Sequence, residues 1–307
     1  MVDEDVHDVV VIGAGVAGVS AAIECLDIHL DVVLLDGASG VGGQIKETPH
    51  TVRNVGVAPE DNSGLVESLS HHAVTLGARF LLNRRVTELD LDDGLVVAGD
   101  ERYRARNVLL ATGSRRRELD AAPDGSFGGD VTYLVEPHIE DFAGRPAAVF
   151  GGGDSAALDA LALADAGSSV FLVHRSPLLR ARRDIIGRLE SQPRITEMSG
   201  WTLERLIGGD RLEGAAVSGG TTGERRHLDV QRVVLKLGRE PMAGLVHGQV
   251  ELGRHGGVVV DASLRTSHPK AFAAGDVVEG AYERIATAMG QGSLAARSIL
   301  NSLQSQS

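Results

Sequence analysis

Asp8-Val9-Val10-Val11-Ile12, followed by Gly13-Ala14-Gly15-Val16-Ala17-Gly18, is the stretch that decides the predicted fold. The apolar, mostly β-branched run predicts a buried strand, and the glycines lead into a helical stretch from Ser20 to Leu26. A second apolar run, Val32 to Leu35, ends at Asp36. The order of strand, glycine turn, helix and strand is typical of a dinucleotide-binding unit.

Each glycine of this turn has a physical reason to be there. Gly13 permits the tight turn, Gly15 lets a pyrophosphate approach the backbone, and Gly18 lets the helix pack on the sheet. The helix start offers free amides to the phosphates, and Asp36 is expected to hold the ribose hydroxyls. Glycine triplets also serve ordinary turns, but the preceding strand and the acidic residue about 20 positions on favour nucleotide binding.

The same arrangement occurs a second time. A strand at 147–150 precedes Gly151-Gly152-Gly153-Asp154-Ser155-Ala156, a helical stretch to about Ala166, and a strand from Val170 to Val173. We expect Gly151, Gly153, Asp154, Ser155 and Ala156 to bind a second nucleotide.

The second copy differs from the first where its second strand ends. In place of an aspartate it continues into His174 and Arg175, with Arg180 close behind. A carboxylate would repel a 2'-phosphate, whereas arginines bind it through charge-assisted hydrogen bonds. These three residues therefore predict NADPH in preference to NADH. The alternative is a solvated helix face, which is our interpretation of Arg182, Arg183 and Arg188.

Composition limits the class of protein. The 307 residues, 43% hydrophobic and 23% charged, predict a globular chain of two domains. The apolar runs are far shorter than the roughly 20 residues that span a bilayer, and the first residues are acidic, so we expect a cytoplasmic protein without membrane contact. A net charge of -12 argues against nucleic-acid binding.

The single cysteine, Cys25, excludes an internal disulfide, a cysteine-based zinc site and a redox-active cysteine pair within the chain. It lies in the helix after the first glycine turn, where a buried, inert thiol is expected. The histidines are scattered and lack ligand spacing with carboxylates, so no metal site is predicted.

Two dinucleotide folds in one chain, the second in the middle, resemble the flavoproteins that bind two dinucleotides, specifically the low-molecular-weight thioredoxin reductase family. Four further segments match motifs of that family over essentially the whole chain: Gly42-Gly43-Gln44, Ala111-Thr112-Gly113-Ser114-Arg115, Ala271-Phe272-Ala273-Ala274-Gly275-Asp276-Val277, and Thr287-Ala288-Met289-Gly290-Gln291-Gly292.

The resemblance implies an α/β fold of two Rossmann-like domains, with the NAD(P)-binding domain inserted in the FAD-binding domain. The FAD domain is expected at 1–115 and 246–307, and the NAD(P) domain at 116–245. A homodimer is also implied. The resemblance places FAD contacts, beyond the first glycine turn, at Gly43, Gln44, Thr112, Gly113, Gly275, Asp276, Ile285 and Ala286.

The chain departs from this family at the catalytic dithiol. Counting back from Gly151, Leu134 and Pro137 occupy the two cysteine positions, and His138 stands where an acidic proton donor follows them. Neither Leu134 nor Pro137 can form the thiolate that disulfide chemistry needs, so direct thioredoxin reductase activity is not expected. His138 is a candidate proton relay at neutral pH; a surface histidine without a role is the alternative.

Relatives without the cysteine pair reduce ferredoxin or flavodoxin. Phe142-Ala143-Gly144-Arg145, Gly153 to Ala156 and Ile285-Ala286-Thr287-Ala288 resemble those ferredoxin:NADP reductases. The implied function is an FAD-dependent oxidoreductase that passes electrons from NADPH to such a partner. Two alternatives stay open: an oxidoreductase acting on a small organic substrate, and a flavin-binding regulatory protein that has lost catalysis.

Overall fold

A computed structural model describes residues 2–47, 55, 62–119, 122, 125–219 and 223–305. The chain divides into two compact units, residues 1–115 with 240–307, and residues 116–239. The second boundary thus lies at 239/240, six residues before the predicted 245/246. Backbone pairing explains the shift, because Met242 N donates to Gly113 O at 2.9 Å and its carbonyl accepts from Thr112 Oγ1 at 2.7 Å.

The strands, in chain order over the described residues, are β1 (Val2–Ile12), β2 (Val32–Leu35), β3 (Arg79–Leu81), β4 (Val86–Asp90), β5 (Leu95–Ala98), β6 (Glu101–Leu110), β7 (Ser114–Arg116), β8 (Val131–Thr132), β9 (Ala147–Phe150), β10 (Val170–His174), β11 (Ile195–Ser199), β12 (Trp201–Gly208), β13 (Leu212–Gly219), β14 (Glu224–Leu228), β15 (Arg232–Leu235), β16 (Arg239–Pro241) and β17 (Ala271–Ala273).

The helices are α1 (Val16–Asp27), α2 (Asn62–Thr75), α3 (Ser126–Gly129), α4 (Ile139–Phe142), α5 (Asp154–Asp165), α6 (Arg183–Glu190) and α7 (Ile285–Ser305), with 3-10 turns at Gly43–Glu47, Glu136–His138 and Gly244–Val246. Among these described helices, none combines the length and the apolar character that a membrane span requires.

The sheet of the first unit has the strand order β3-β2-β1-β6-β5-β4, and β17 also pairs with β6. Strands β3, β2, β1, β6 and β17 run parallel, whereas β4 and β5 pair antiparallel. Val9 and Val11 pack toward α1 and α7, while Val10 and Ile12 pack on the opposite face. Because both faces of β1 are covered at its C-terminal end, residues 9–12 are continuously apolar instead of alternating.

Helices α1 and α7 cross at backbone contact in this unit. A Cβ on Gly292 of α7 would lie 2.2 Å from Ala17 O of α1. Only glycine fits at that position, and the contact fixes the C-terminal helix against the helix that follows the first glycine turn.

The second unit contains a parallel sheet in the order β11-β10-β9-β15-β8. Helix α5 packs on one face, where Ala160 meets Val149 and Leu172. On the other face, the antiparallel sheet of β12, β13 and β14 contributes Val217 to a core with Phe150. The predicted α/β class is confirmed: each unit has a Rossmann-like sheet, and the second unit is inserted between the two parts of the first.

A buried carboxylate ties this antiparallel sheet to the parallel one. Asp130 accepts hydrogen bonds from Arg211 Nε and Nη2, both at 2.6 Å, and from Leu212 N at 3.0 Å. The buried Arg232 guanidinium pairs with the same carboxylate. Burial acts to raise the pKa of Asp130, but the hydrogen bonds from Arg211 and Leu212 and the charge of Arg232 outweigh it and hold that pKa below its ordinary value.

We predict that Asp130→Asn destabilises the protein strongly, by about 3–5 kcal/mol, because it leaves the buried Arg232 without its counter-charge. Urea denaturation at pH 7 measures the loss. Glu204→Gln is the matched control, since Glu204 pairs with the exposed Arg225 and such surface pairs contribute about 0–1 kcal/mol.

The same variant has a predicted pH dependence. A carboxyl whose pKa is lower in the folded state stabilises the fold above its unfolded pKa, and that stabilisation disappears as pH falls through the folded pKa. The stability gap between wild type and Asp130→Asn should therefore narrow in acid. A gap that widens below pH 4, or no gap at pH 7, would contradict the assignment.

Candidate functional site

The first glycine turn is shaped by two positions that exclude a side chain. Gly13 has φ +112°, and a Cβ there would lie 2.3 Å from Ala111 O. A Cβ on Gly18 would lie 1.9 Å from Gly13 O. Gly15, by contrast, has nothing within 4 Å of the position its Cβ would take, and it precedes α1 without a side-chain cap. The turn is closed toward the protein and open at the helix start.

Asp36 lies beside this turn at the end of β2. Its Oδ2 accepts from Ala14 N at 2.6 Å and its Oδ1 from Ala38 N at 2.7 Å. The carboxylate, predicted only as a ribose ligand, therefore also fixes the backbone of the glycine turn at Ala14 and its own segment at Ala38. Each oxygen keeps a second lone pair for a further donor.

Three segments that are distant in sequence converge next to the turn. Gln44 Nε2 donates to Ser114 Oγ at 3.2 Å and to Asp276 Oδ2 at 3.0 Å. A Cβ on Gly43 would lie 3.1 Å from Gly15 Cα, so the Gly43-Gln44 backbone runs directly alongside the open glycine. The predicted site residues Gly43, Gln44 and Asp276 are thus brought together, and Ser114 joins them.

Thr112 and Gly113 also have a structural role, which the sequence did not indicate. The Thr112 hydroxyl and the Gly113 carbonyl both bond to the backbone of Met242, as described above. Gly113 has φ +69°, a conformation that favours glycine.

The start of α7 lies close to Gly275. Gln291 Oε1, one and a half turns into α7, accepts from Gly275 N at 2.7 Å, and a Cβ on Gly275 would lie 3.0 Å from Ala17 Cβ of α1. Ile285 is half-buried and Ala286 is exposed in the first turn of α7. Gln291 is a residue whose anchoring role the sequence did not reveal.

The second turn repeats the first with different contacts. A Cβ on Gly151 would lie 2.6 Å from Lys236 O and 3.1 Å from Ala156 Cβ, so Ala156 stands where the first turn has Gly18. Gly153 has nothing within 4 Å and precedes α5. Ser155 is exposed in the first turn of that helix. Here too the helix start is open.

His174 takes the place of Asp36 in the second copy, because Gly13 N donates to Leu35 O and Gly151 N donates to the equivalent Val173 O. The sequence grouped it with the surface arginines, but the structure buries it beneath Gly152, with only 3% exposed. Its Nε2 lies 2.9 Å from Glu197 Oε1. Its Nδ1 is buried without a hydrogen-bond partner in the described part of the chain.

The segment between β10 and α6 presents the arginines. Arg175 and Arg180 are exposed, and over the described ranges the structure shows no ion pair for either guanidinium. Arg180 N donates to Gly152 O at 2.8 Å, which places this segment against the glycine turn. Arg183 and Arg188 are exposed in α6, as predicted.

Arg182 corrects the prediction of a simple solvated helix face. It precedes α6, and its Nε lies 3.3 Å from Asp154 Oδ2 while its backbone N–H donates to Asp154 Oδ1 at 2.8 Å. Asp154, predicted as a nucleotide contact, is thus engaged with the arginine-bearing segment.

The segment that replaces the dithiol is held by several contacts. Thr132 Oγ1 bonds to the backbone of Leu134 in both directions, at 2.9 and 3.1 Å. Lys236 Nζ donates to Tyr133 O at 2.7 Å and lies 2.7 Å from Asp159 Oδ2. Leu134 is half-buried and Pro137 is exposed. These are the positions at which the family resemblance predicts the two cysteines, and neither side chain can exchange electrons.

His138 ends the 3-10 turn Glu136–His138 and is half-buried. Its ring centroid lies 6.3 Å from that of Phe142. No hydrogen-bond partner of its imidazole is seen in the described part of the molecule, so its candidacy as a proton relay depends only on its position after Pro137.

Cys25 is fully buried in α1. Burial, followed by the charges of Glu24 and Asp8, raises the pKa of its thiol to about 12. Since the thiolate is the reactive form, this thiol is inert in the folded protein.

Comparison with known proteins agrees with this geometry. The family described as Pyridine nucleotide-disulphide oxidoreductase matches residues 7–292. A thioredoxin reductase of Mycolicibacterium smegmatis is 33% identical over 298 residues, covering 94% of each chain. An NADH dehydrogenase of Bacillus subtilis (strain 168) is 31% identical over 307 residues, covering 96% of this chain; the chain spans only 58% of that relative's length.

Solved structures show the same fold. The thioredoxin reductase of Lactococcus lactis (FR conformation) is similar with a TM-score of 0.85 at 27% identity, covering 97% of this chain and 99% of that one. The T. acidophilum thioredoxin reductase is similar with a TM-score of 0.82, also at 27% identity, covering 99% and 100%. With two glycine turns, each after a parallel strand of its own sheet, and one cysteine in the whole sequence, this chain belongs to the pyridine nucleotide-disulphide oxidoreductase family as a thioredoxin reductase-like flavoprotein that lacks the catalytic cysteine pair.

Proposed function

We propose that this chain is an FAD-dependent NADPH oxidoreductase that works without a dithiol and passes electrons to a ferredoxin- or flavodoxin-type acceptor. The observation that carries the proposal is the presence of Leu134 and Pro137 at the cysteine positions while the single thiol, Cys25, is buried with a raised pKa. Thioredoxin reduction requires a thiolate within reach of a partner disulfide, and this chain offers none.

The first unit fits FAD. The open position at Gly15 leaves room for a pyrophosphate at the uncapped start of α1. Asp36, already oriented by Ala14 N, keeps acceptor capacity for ribose hydroxyls. The joined Gln44 and Asp276 side chains lie alongside and would bind the polar chain of the flavin.

The second unit fits a phosphorylated pyridine nucleotide. Gly153 leaves the start of α5 open, and the buried Nδ1 of His174 has no hydrogen-bond partner among the residues that the structure describes. The residue that ends β10 is His174, not an acidic residue as in the first unit, and Arg175 and Arg180, which follow it in the chain, are exposed. Arginines there favour a 2'-phosphate, so NADPH is the proposed coenzyme and NADH the weaker one.

Bound FAD would supply hydride acceptance from a reduced nicotinamide and the release of electrons singly or in pairs, so no protein nucleophile would be needed. The chain's own residues bind, orient and balance charge. Gln291 joins α7 to Gly275 N. We assign the backbone amides of the first turn of α7, at Ile285 and Ala286, the stabilisation of negative charge at that helix end. We assign His138 the role of a proton relay next to segment 134–137.

The acceptor is proposed from the resemblance to relatives without the cysteine pair. The NADH dehydrogenase among the relatives makes NADH the necessary second arm of the test. A small-molecule acceptor would appear in the same assay as NADPH oxidation that a metabolite stimulates and that ferredoxin and flavodoxin do not.

The central prediction concerns thiol-independent turnover. Anaerobic stopped-flow mixing with NADPH should bleach the flavin absorbance, faster than NADH does, and ferredoxin or flavodoxin should then restore it. Cys25→Ala should behave as wild type, since this buried thiol takes no part. Failure of NADPH to bleach the flavin, or thioredoxin-dependent disulfide reduction that disappears in Cys25→Ala, would refute the proposal.

Two glycine variants separate binding from folding. Gly15→Ala should fold normally but bind FAD more weakly, by about 1–3 kcal/mol, roughly 5- to 150-fold in Kd, because its methyl group fills the space for the pyrophosphate. Gly18→Ala should instead lower the free energy of unfolding, since its Cβ meets a backbone oxygen. Flavin titration and thermal unfolding measure the two effects; undiminished FAD affinity in Gly15→Ala would contradict the site.

A third variant tests the coenzyme. Arg180→Gln should weaken NADPH binding by about 1.5–3 kcal/mol, the value of a hydrogen bond to a charged group, and leave NADH binding unchanged. Arg188→Gln, an exposed arginine of α6, is the control and should change neither. Equal loss of NADPH and NADH affinity in Arg180→Gln would point to a structural role for this arginine.

A further inference from the structure

The segment from Arg175 to Arg182, here called the arginine loop, carries the two exposed arginines proposed to recognise the 2'-phosphate. Two backbone contacts attach its C-terminal half to the glycine turn. Arg180 N donates to Gly152 O, and Arg182 N donates to Asp154 Oδ1, both at 2.8 Å. The position of Arg180 is therefore set on both sides by the turn and the first residue of α5.

The first unit shows which of these contacts belongs to the fold in general. There, Gly42 N donates to Ala14 O at 2.8 Å, which is the equivalent of the Arg180 contact. The residue equivalent to Asp154 is Val16, which is buried and has no polar side chain. The carboxylate anchor is thus an addition that accompanies the arginine loop.

The negative charge of Asp154 lies at the start of α5, where the nucleotide phosphates are proposed to bind, so it needs a counter-charge there. A carboxylate in the first turn of α5 is favourable for the helix, but it would repel a phosphate at the same helix end. Arg182 Nε lies 3.3 Å from its Oδ2, so the pair is neutral. Both side chains are well exposed, at 63% and 37%, and such pairs contribute little to stability, so variants of Asp154 should fold.

We propose that Asp154 is a positioning residue for coenzyme selectivity. Its carboxylate holds the backbone of Arg182, and thereby the arginine loop, where Arg175 and Arg180 reach a 2'-phosphate, without itself touching the nucleotide. The inference rests on the proposed NADPH function. It predicts that the anchor affects recognition of the 2'-phosphate and leaves the rest of the adenosine moiety unaffected.

The test uses two probes that differ only in the 2'-phosphate, adenosine 2',5'-bisphosphate and 5'-AMP, titrated calorimetrically into the flavin-loaded protein. Wild type should prefer the bisphosphate. Asp154→Ala should lose about tenfold of that preference, equal to about 1.4 kcal/mol, with unchanged 5'-AMP binding.

Two control variants should retain the preference for the bisphosphate. Asp154→Asn should retain it, because its amide oxygen still accepts from Arg182 N. Asp184→Asn, which removes only the longer 3.7 Å contact to Arg182 Nη2, is the control and should also retain it.

The outcomes separate the two proposals. A wild-type preference that survives intact in Asp154→Ala overturns the positioning role and leaves NADPH as coenzyme. Equal affinity of wild type for the two probes overturns the proposed coenzyme together with this inference. Loss of 5'-AMP binding in Asp154→Ala would overturn the inference by showing general damage to the helix start.

Discussion

A backbone carbonyl occupies the space where Gly18 would otherwise carry a side chain, and the nucleotide edge of the first unit depends on that contact. With Gly13 O 1.9 Å from the position of a Cβ, α1 can begin directly behind the end of β1. At the start of α1, the space beside Gly15 is then left open. The second unit meets the same constraint with other residues, as Gly151 packs against Lys236 O and Ala156 Cβ.

Because the constraint is local, much of it could be predicted from sequence. The two glycine turns and the apolar strand ends before them follow from short-range patterns, and the structure has both turns and β9 at the expected residues. Strand β1 ends at Ile12 as predicted but begins at Val2 instead of Asp8. The hydrogen bonds joining Gln44, Ser114 and Asp276 were out of reach, since they depend on how segments 70 to 232 residues apart meet. Motif resemblance placed Gln44 and Asp276 in one site, but it indicated neither their hydrogen bond nor the part of Ser114.

Polar residues at the turns were the least predictable, because one side chain can satisfy either backbone or ligand. Asp36 does both in the first unit, where its carboxylate bonds to Ala14 N and Ala38 N. At the equivalent position His174 turns inward to Glu197, and Asp154 serves the arginine loop instead. All three are polar residues next to a glycine turn, and the surrounding backbone decides which partner each one binds.

Without a dithiol, what this chain's own residues must do is bind and orient its cofactors, and the arginine loop belongs to that task. A family member that no longer exchanges electrons through sulfur has no need of a reactive segment at 134–137, and here Lys236 and Thr132 bond to that segment's backbone. Under the proposed function, discrimination between NADPH and NADH depends on the positive charge of the arginine loop, in a chain whose net charge is -12. Because such a chain repels phosphates at long range, its coenzyme must be held by short-range contacts. Under the proposed function, the exposed arginines of the anchored loop supply those contacts, since a planar guanidinium binds phosphate through directed hydrogen bonds.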